Sequence, residues 1–595
     1  MAPPRIPEKR DQPHVRERNQ MRWSYRVVLW ASAGLFCGQL YAQNPPPSAA
    51  IGSSTTEDPV SFNLHADAPG KVEFLGSDSA VLFSKEVSES FKGVLARDYV
   101  SDPKSQYPLG FLSASPSSQP WYGTMWTRDA GTFMRELVYW GYYEHACQVA
   151  ECVMDYVGTN KDGFVAFPRY IDPQQGRISG SEMDGQATCI IAMVALWQRL
   201  PAQDPFRARL YQFLHQPSSP VCGIHHFLET GPLVPGSGEF GGGKGHDDYN
   251  VIQNNLCALA LLSAANMEDE AGDHTAADQW RADAYNLFQN IQKYFVNSRG
   301  SWIWGIDIKT LKSNTNDIDS ATHSGGGGLN GVVCMSADVL GFNPVAWPWQ
   351  GAVIYGGKTF DELYAFPPRK ERFDKYGIWA QMNYTHKGLL TSPSYGQGYA
   401  LQDMLLLDKL DMADHGLDFL AQTTYKAPHI VWSLEQYHYT RLSPYYFYER
   451  MYSPDALGQV ELTAGCGQLN LVNVSEPLKV ARLIAGVDDT SLKQVQIIPR
   501  LPSSWSGYHL ENWPICTSHG VVRADVSLER KDGAINFVLR VKKGGDIPRL
   551  AVCLPEGNKM VWKFQDHVEN FTYASAAQKP DENAVSAKTI ESAAE

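Results

Sequence analysis

The sequence predicts a helix-rich domain followed by a smaller antiparallel β-sandwich. Three observations predict it. Apolar residues recur at helical spacing from about 86 to 475. Strict apolar–polar alternation replaces that spacing after about 476. Between the helical stretches lie long loops rich in glycine and aromatic residues.

The helical spacing is plain in Trp280, Ala284, Leu287, Phe288, Ile291 and Phe295, which mark one face. Similar faces recur around 133–157, 184–199, 251–265 and 397–421. The loops 218–249, 299–333 and 356–375 are long, and long loops on a rigid scaffold are where binding residues usually sit. In the second part Val522, Ala524, Val526 and Leu528 alternate, as do Ile535, Phe537, Leu539 and Val541. Lys531-Asp532-Gly533 between them reads as a hairpin turn. The helical domain is set at 86–475 and the sandwich at 476–570, with a disordered tail over 571–595.

The N-terminus reads as an export signal, residues 1–42. Arg16, Arg18, Arg22 and Arg26 lead into the apolar run Val27–Leu40, and Leu40-Tyr41-Ala42 offers a cleavage site. The run is short for a membrane span. Met21 is an alternative start. Residues 43–85 form a linker and extended lead-in, opening with Pro45-Pro46-Pro47. A periplasmic or secreted location follows as the expectation.

The chain has 595 residues, enough for two or three domains, and 43% of them are hydrophobic, which excludes a disordered protein. Net charge is −13, and removal of residues 1–42 leaves the mature chain near −17. That balance speaks against nucleic acid as a partner and suits a neutral substrate. The ten cysteines contain no C-x-x-C pair, so neither a disulfide framework nor a zinc site is expected. His225, His226 and His246 lack a second ligand at zinc spacing. No metal, no cofactor and, after signal cleavage, no membrane attachment are expected. Oligomeric state is left open.

The chemistry concentrates in a few segments. In Met125–Leu137, Trp126, Arg128 and Asp129 stand at a helix start. An Arg–Asp pair offers planar donors and a charged acceptor to vicinal hydroxyls, and a Trp can cover an apolar sugar face. Gly245-His246-Asp247-Asp248 follows a glycine run and opens the next helical stretch at 251. Two Asp there are either helix caps or working carboxylates. Glu435 sits among aromatic residues in Trp432-Ser433-Leu434-Glu435-Gln436-Tyr437, where a plain surface role is less natural. Glu182-Met183-Asp184-Gly185-Gln186 is a third acidic helix start, again either a cap or a binding segment.

Trp126-Thr127-Arg128-Asp129-Ala130-Gly131 resembles the Trp-Thr-Arg-Asp-Ser-Gly run that opens the second helix of glucoamylases, which are six-hairpin glycosidases. Glu435-Gln436-Tyr437 is similar to the glucoamylase Ser-Glu-Gln-Tyr at the general base, with Leu434 in place of Ser. The resemblance implies an (α/α)6 barrel of helical hairpins with a C-terminal antiparallel β-sandwich. Ala485-Gly486-Val487, Val495–Pro499 and Leu501-Pro502 are similar to the sandwich that follows the barrel in bacterial α-L-rhamnosidases.

The resemblance also implies roles. Asp247 takes the general-acid position and Glu435 the general-base position of an inverting, exo-acting glycosidase. Arg128 and Asp129 hold the terminal sugar. Asp184 and Gln186 fit a substrate-binding segment in which Met183 replaces an Arg. Glu182, His246, Asp248, Trp126, Trp432, Gln436 and Tyr437 complete the candidate substrate contacts, with Glu182 a second candidate acid. Glycoside hydrolysis needs two such carboxyls flanking the bond. An α-glucoside ranks first and an α-L-rhamnoside second. A polysaccharide lyase and a non-catalytic sugar-binding protein are the alternatives of other classes; the sparse Lys and Arg near these loops speak against a lyase.

Overall fold

A computed structural model describes residues 67–575 apart from 117–122, 173–175, 179–181, 237–247, 314–328, 387–388, 427–443, 453–467 and 557–558. The helices are α1 (Asp78–Arg97), α2 (Thr127–Trp140), α3 (Tyr143–Asp155), α4 (Met183–Arg199), α5 (Pro205–His215), α6 (Pro220–Thr230) and α7 (Val251–Ala271). They continue with α8 (His274–Tyr294), α9 (Gly331–Leu340), α10 (Gly351–Ala365), α11 (Pro367–Tyr376), α12 (Ser394–Leu406), α13 (Leu410–Lys426) and α14 (Leu471–Ala485).

Helices α2, α4, α7, α9, α12 and α14 each pack on the next, and α14 returns to α2. They form a closed inner ring, with the remaining helices outside it as hairpin partners. Burial follows this placement. In α7, inside, every residue from Val251 to Ala265 is buried. In α8, outside, Ala284, Leu287, Phe288 and Ile291 are buried and the other face is wet. A helix apolar all round belongs in a core, and an amphipathic one at its surface.

The inner helices run parallel. Gly185 at the start of α4 lies against Thr127 at the start of α2, and Gly331 of α9 lies against Ile252 of α7. The Tyr395 N–H, at the start of α12, donates to Asn473 Oδ1 of α14 at 3.0 Å. These contacts join first turns, so the ring starts at one end, here called the mouth. At the far end the connections are tight: Gly141 (φ 87°) and Gly272 (φ 92°) stop α2 and α7 in the left-handed conformation. The connections at the mouth are long.

Midway down the ring lies a buried ionic lattice. Arg135 meets Glu136 at 2.8 Å, Asp338 at 3.0 Å and Glu476 at 3.1 Å. Arg482 meets Glu136 at 2.9 Å, and Lys479 meets Asp338 at 2.7 Å. These six charges, three of each sign, come from α2, α9 and α14 and lock the three helices together.

The sandwich begins with a strand from the other end of the chain. Its strands are β1 (Lys71–Leu75), β2 (Val487–Asp488), β3 (Val495–Ile497), β4 (Gly507–Thr517), β5 (Gly520–Lys531), β6 (Ala534–Lys543), β7 (Ile547–Glu556), β8 (Lys559–Val568) and β9 (Asn570–Ala574). One sheet has the order β1-β4-β5-β6-β9 and the other β2-β3-β7-β8. Val522, Ala524, Val526, Leu528, Ile535, Phe537 and Leu539 are all buried between them. The β5–β6 turn puts Asp532 (φ 50°) and Gly533 (φ 76°) in the left-handed region that a two-residue hairpin requires.

The boundaries differ from the sequence expectation at both ends. Helix α1 starts at Asp78, where the Ser77 hydroxyl accepts from the Ala80 N–H. The lead-in contributes β1, paired from Lys71↔Glu511 to Leu75↔Gly507. The last barrel helix runs through Pro477 to Ala485. Glycine at 398 makes room for it, because a Cβ there would stand 2.9 Å from Glu476. Strand β9 extends to Ala574, inside the segment expected as tail. Among the described residues no helix is long and apolar enough to cross a membrane.

Candidate active site

The mouth is built from the segments that lead into the inner helices. Strand Met125–Trp126 pairs with Tyr170–Asp172 in the register Met125↔Ile171 and Trp126↔Tyr170, and Tyr170–Asp172 pairs with Gly176–Ile178. This small sheet fixes the lead-in of α2 to that of α4. Thr127 reinforces it, its hydroxyl donating to Pro168 O at 2.7 Å.

Arg128 and Asp129 emerge in the first turn of α2. Arg128 Nη2 lies 3.0 Å from Asp129 Oδ1, to which Nε also donates, and Nη1 stands 3.8 Å from Asp184 Oδ2. Asp129 and Asp184 are both buried. Small residues allow this approach. A Cβ on Gly185 would stand 2.8 Å from Thr127 Oγ1, and one on Gly131 would stand 3.0 Å from the Cys189 backbone nitrogen.

Glu182 is buried beside Arg169, whose Nε stands 2.7 Å away. The Arg169 guanidinium covers Trp126 at 5.2 Å, and Trp126 packs on Tyr170 with ring centroids 4.9 Å apart. Arg169 and Tyr170 were not among the residues the sequence singled out. The pair sits in Phe167-Pro168-Arg169-Tyr170, with no helix period to draw attention to it. Gln186 faces the same strand region: it accepts from Phe167 N at 2.9 Å and donates to Phe167 O at 2.8 Å. It therefore positions this wall through the backbone.

The structure bears on the capping alternatives. Helix α7 is capped by Asn250, whose Oδ1 accepts from Ile252 N at 2.8 Å and Gln253 N at 3.2 Å. The pair Asp247-Asp248 is not needed for that purpose. Asp248 stands opposite Asp307 in a short antiparallel pairing. The residue at the cap of α4, Glu182, makes no side-chain cap bond, and Asp184 Oδ1 accepts from its neighbour Gly185 N at 2.8 Å. His246, Asp247, Trp432, Glu435, Gln436 and Tyr437 lie outside the described residues. In chain order they fall between α6 and α7 and between α13 and α14.

Below the mouth, Tyr399 and Asp403 of α12 are fully buried, and burial pushes both the phenol and the carboxyl well up from their ordinary values. His225 and His226 are engaged with Asp283 at 2.7 Å and Glu229 at 3.1 Å.

The layout matches known structures. An α-L-rhamnosidase from Dictyoglumus thermophilum superposes with a TM-score of 0.54 at 12% identity, over 86% of this chain and 51% of that one. The chain shares its fold with this rhamnosidase. A GH78 family rhamnosidase of Bacillus sp. GL1 superposes with a TM-score of 0.51 at 15% identity, over 82% of this chain and 43% of that one. The chain therefore spans about half the length of these rhamnosidases. No protein-family model and no curated protein matches the sequence.

Proposed function

We propose that the protein is a glycoside hydrolase that removes a terminal sugar with inversion, Asp247 protonating the leaving oxygen and Glu435 deprotonating the attacking water. One observation carries this reading: at the mouth of a closed six-helix ring, Arg128, Asp129 and Asp184 converge beside the Trp126–Tyr170 wall. A fixed guanidinium between two buried carboxylates binds vicinal hydroxyls, and an aromatic wall takes an apolar sugar face. In the sequence Asp247 and Glu435 lie in the stretches that precede the inner helices α7 and α14. Inversion calls for their carboxyls to stand roughly 6.5–9.5 Å apart, leaving room for water. The arginines at 16–26 followed by the apolar run Val27–Leu40 support action outside the cytoplasm.

An α-glucoside is the first substrate, on the Trp-Thr-Arg-Asp and Glu-Gln-Tyr segments. An α-L-rhamnoside is the second, favoured by the two rhamnosidases of the same fold. A panel of aryl α-glucoside, α-L-rhamnoside, β-glucoside and α-mannoside decides between them. Release of the aryl group from the glucoside alone supports the first reading, and from the rhamnoside alone the second. Inactivity on the panel and on natural oligosaccharides contradicts the hydrolase assignment.

A further inference from the structure

Strand β8 is the outermost strand of its sheet. It pairs with β7 on one side, and among the described residues no strand pairs with the other. An unpaired edge presents a row of N–H and C=O groups ready to accept another strand. Met560, Trp562 and Phe564 alternate onto one face of it. Met560 is 52% exposed and Phe564 63% exposed, unusual values for such large apolar side chains. The rings of Trp562 and Phe564 are nearly parallel, at 22° and 6.2 Å between centroids.

Edges of this kind are usually guarded by a central lysine. Lys563 does not guard this one. It folds back over Tyr573 at 5.3 Å and lies 3.3 Å from Glu556, on its own sandwich. At the far end His567 takes φ 53°, and the pairing with β7 is interrupted there, between Arg549↔Asp566 and Ile547↔Val568, without a change of register. The uninterrupted edge is therefore Lys559–Asp566.

We propose that this edge pairs antiparallel with the same edge of a second copy, about a two-fold axis at Trp562. The sequence selects that register. It sets Trp562 against Trp562 and Met560 against Phe564, so three apolar residues from each copy close into one dry strip. It sets Lys563 against Val561 and Lys559 against Gln565. A shift of one residue either way puts Lys563 opposite Lys563 or Lys559 opposite Lys563, and like charges directly opposite destabilise a sheet. The two-fold makes the contact self-limiting, because each copy spends this edge on the other.

Sedimentation velocity on the full chain tests the proposal. The expected result is a dimer at tens of micromolar whose dissociation constant rises at least tenfold in Phe564→Lys and in Met560→Lys. Both side chains are exposed, so both variants keep the wild-type melting temperature. In the proposed register Trp562→Cys cross-links two copies under mild oxidation and Asp566→Cys does not, because the Asp566 positions lie well beyond disulfide reach. A wild type that stays monomeric overturns the proposal. So does a dimer unaffected by both lysine variants, or cross-linking at Asp566→Cys rather than Trp562→Cys.

Discussion

Arg128 Nη1 lies 3.8 Å from Asp184 Oδ2, across the seam between the first turns of α2 and α4. The same guanidinium is held by Asp129 at 3.0 Å. Its orientation is thus set by two carboxylates on two helices, and that fixed fork is what the proposed sugar contact uses.

Arg128→Lys keeps the charge and loses the fork, since an ammonium cannot span two acceptors in one plane. We expect kcat/KM to fall about 100-fold, roughly 2–3 kcal/mol of transition-state binding, with the melting temperature little changed. Steady-state kinetics beside a thermal melt separates the two effects. A loss confined to stability would remove Arg128 from the site.

Gly185→Ala tests the helix approach that creates the pair. The added Cβ would meet Thr127 Oγ1 at 2.8 Å and Arg128 N at 3.2 Å. Overpacking of this kind costs about 1–3 kcal/mol. We expect lower denaturant resistance together with reduced kcat/KM, because the strain falls on the segment that aims Arg128. An unchanged unfolding midpoint would show that the seam has slack.

The ionic lattice predicts both a mutational and a pH effect. Lys479→Met leaves Asp338 without its 2.7 Å partner in a buried site, and breaking such a pair costs about 3–5 kcal/mol. Burial alone would raise Glu136 and Asp338, but Arg482 and Arg135 hold Glu136 below its ordinary 4.5, and Arg135, Lys479 and Arg482 hold Asp338 below 3.8. Depressed carboxyls favour the folded state above their ordinary values and lose that contribution as pH falls through the lower folded ones. Unfolding free energy measured downward from pH 5 should therefore drop. A flat profile in that window would contradict the lattice.

Glu86 predicts the opposite sign. It is fully buried, both carboxyl oxygens lack a hydrogen-bond partner among the described residues, and burial raises its carboxyl well above 4.5. The folded state binds a proton that the unfolded state gives up. This contribution is complete below about 4.5 and declines as pH rises through the raised folded value. Glu86→Gln should raise the melting temperature at pH 7 and leave it nearly unchanged at pH 4. An equal gain at both would point to packing.

Much of the fold was legible in the sequence because period reports burial. The face Trp280–Phe295 marked a helix, and Val522–Val541 marked a hairpin. The strand Lys71–Leu75 was not legible: five residues carry no period, and their partner lies over 400 positions away. The helical domain was set to end at 475, yet α14 runs on through Pro477 to Ala485, with Gly398 leaving space beside Glu476. At the site, Arg128, Asp129 and Asp184 were visible as charges at helix starts. Arg169 was not, since its importance comes from Trp126 and Glu182, which only tertiary structure brings to it. The capping role of Asn250 was hidden by the more conspicuous Asp247-Asp248 beside it.

Asp247 and Glu435 are tested most directly by kcat for the cleaved aryl glycoside in wild type, Asp247→Asn and Glu435→Gln. Each variant is expected to lose about 10³-fold or more in kcat while remaining folded. Turnover that survives both substitutions would contradict the assignment and move the chemistry to Glu182 or Asp248.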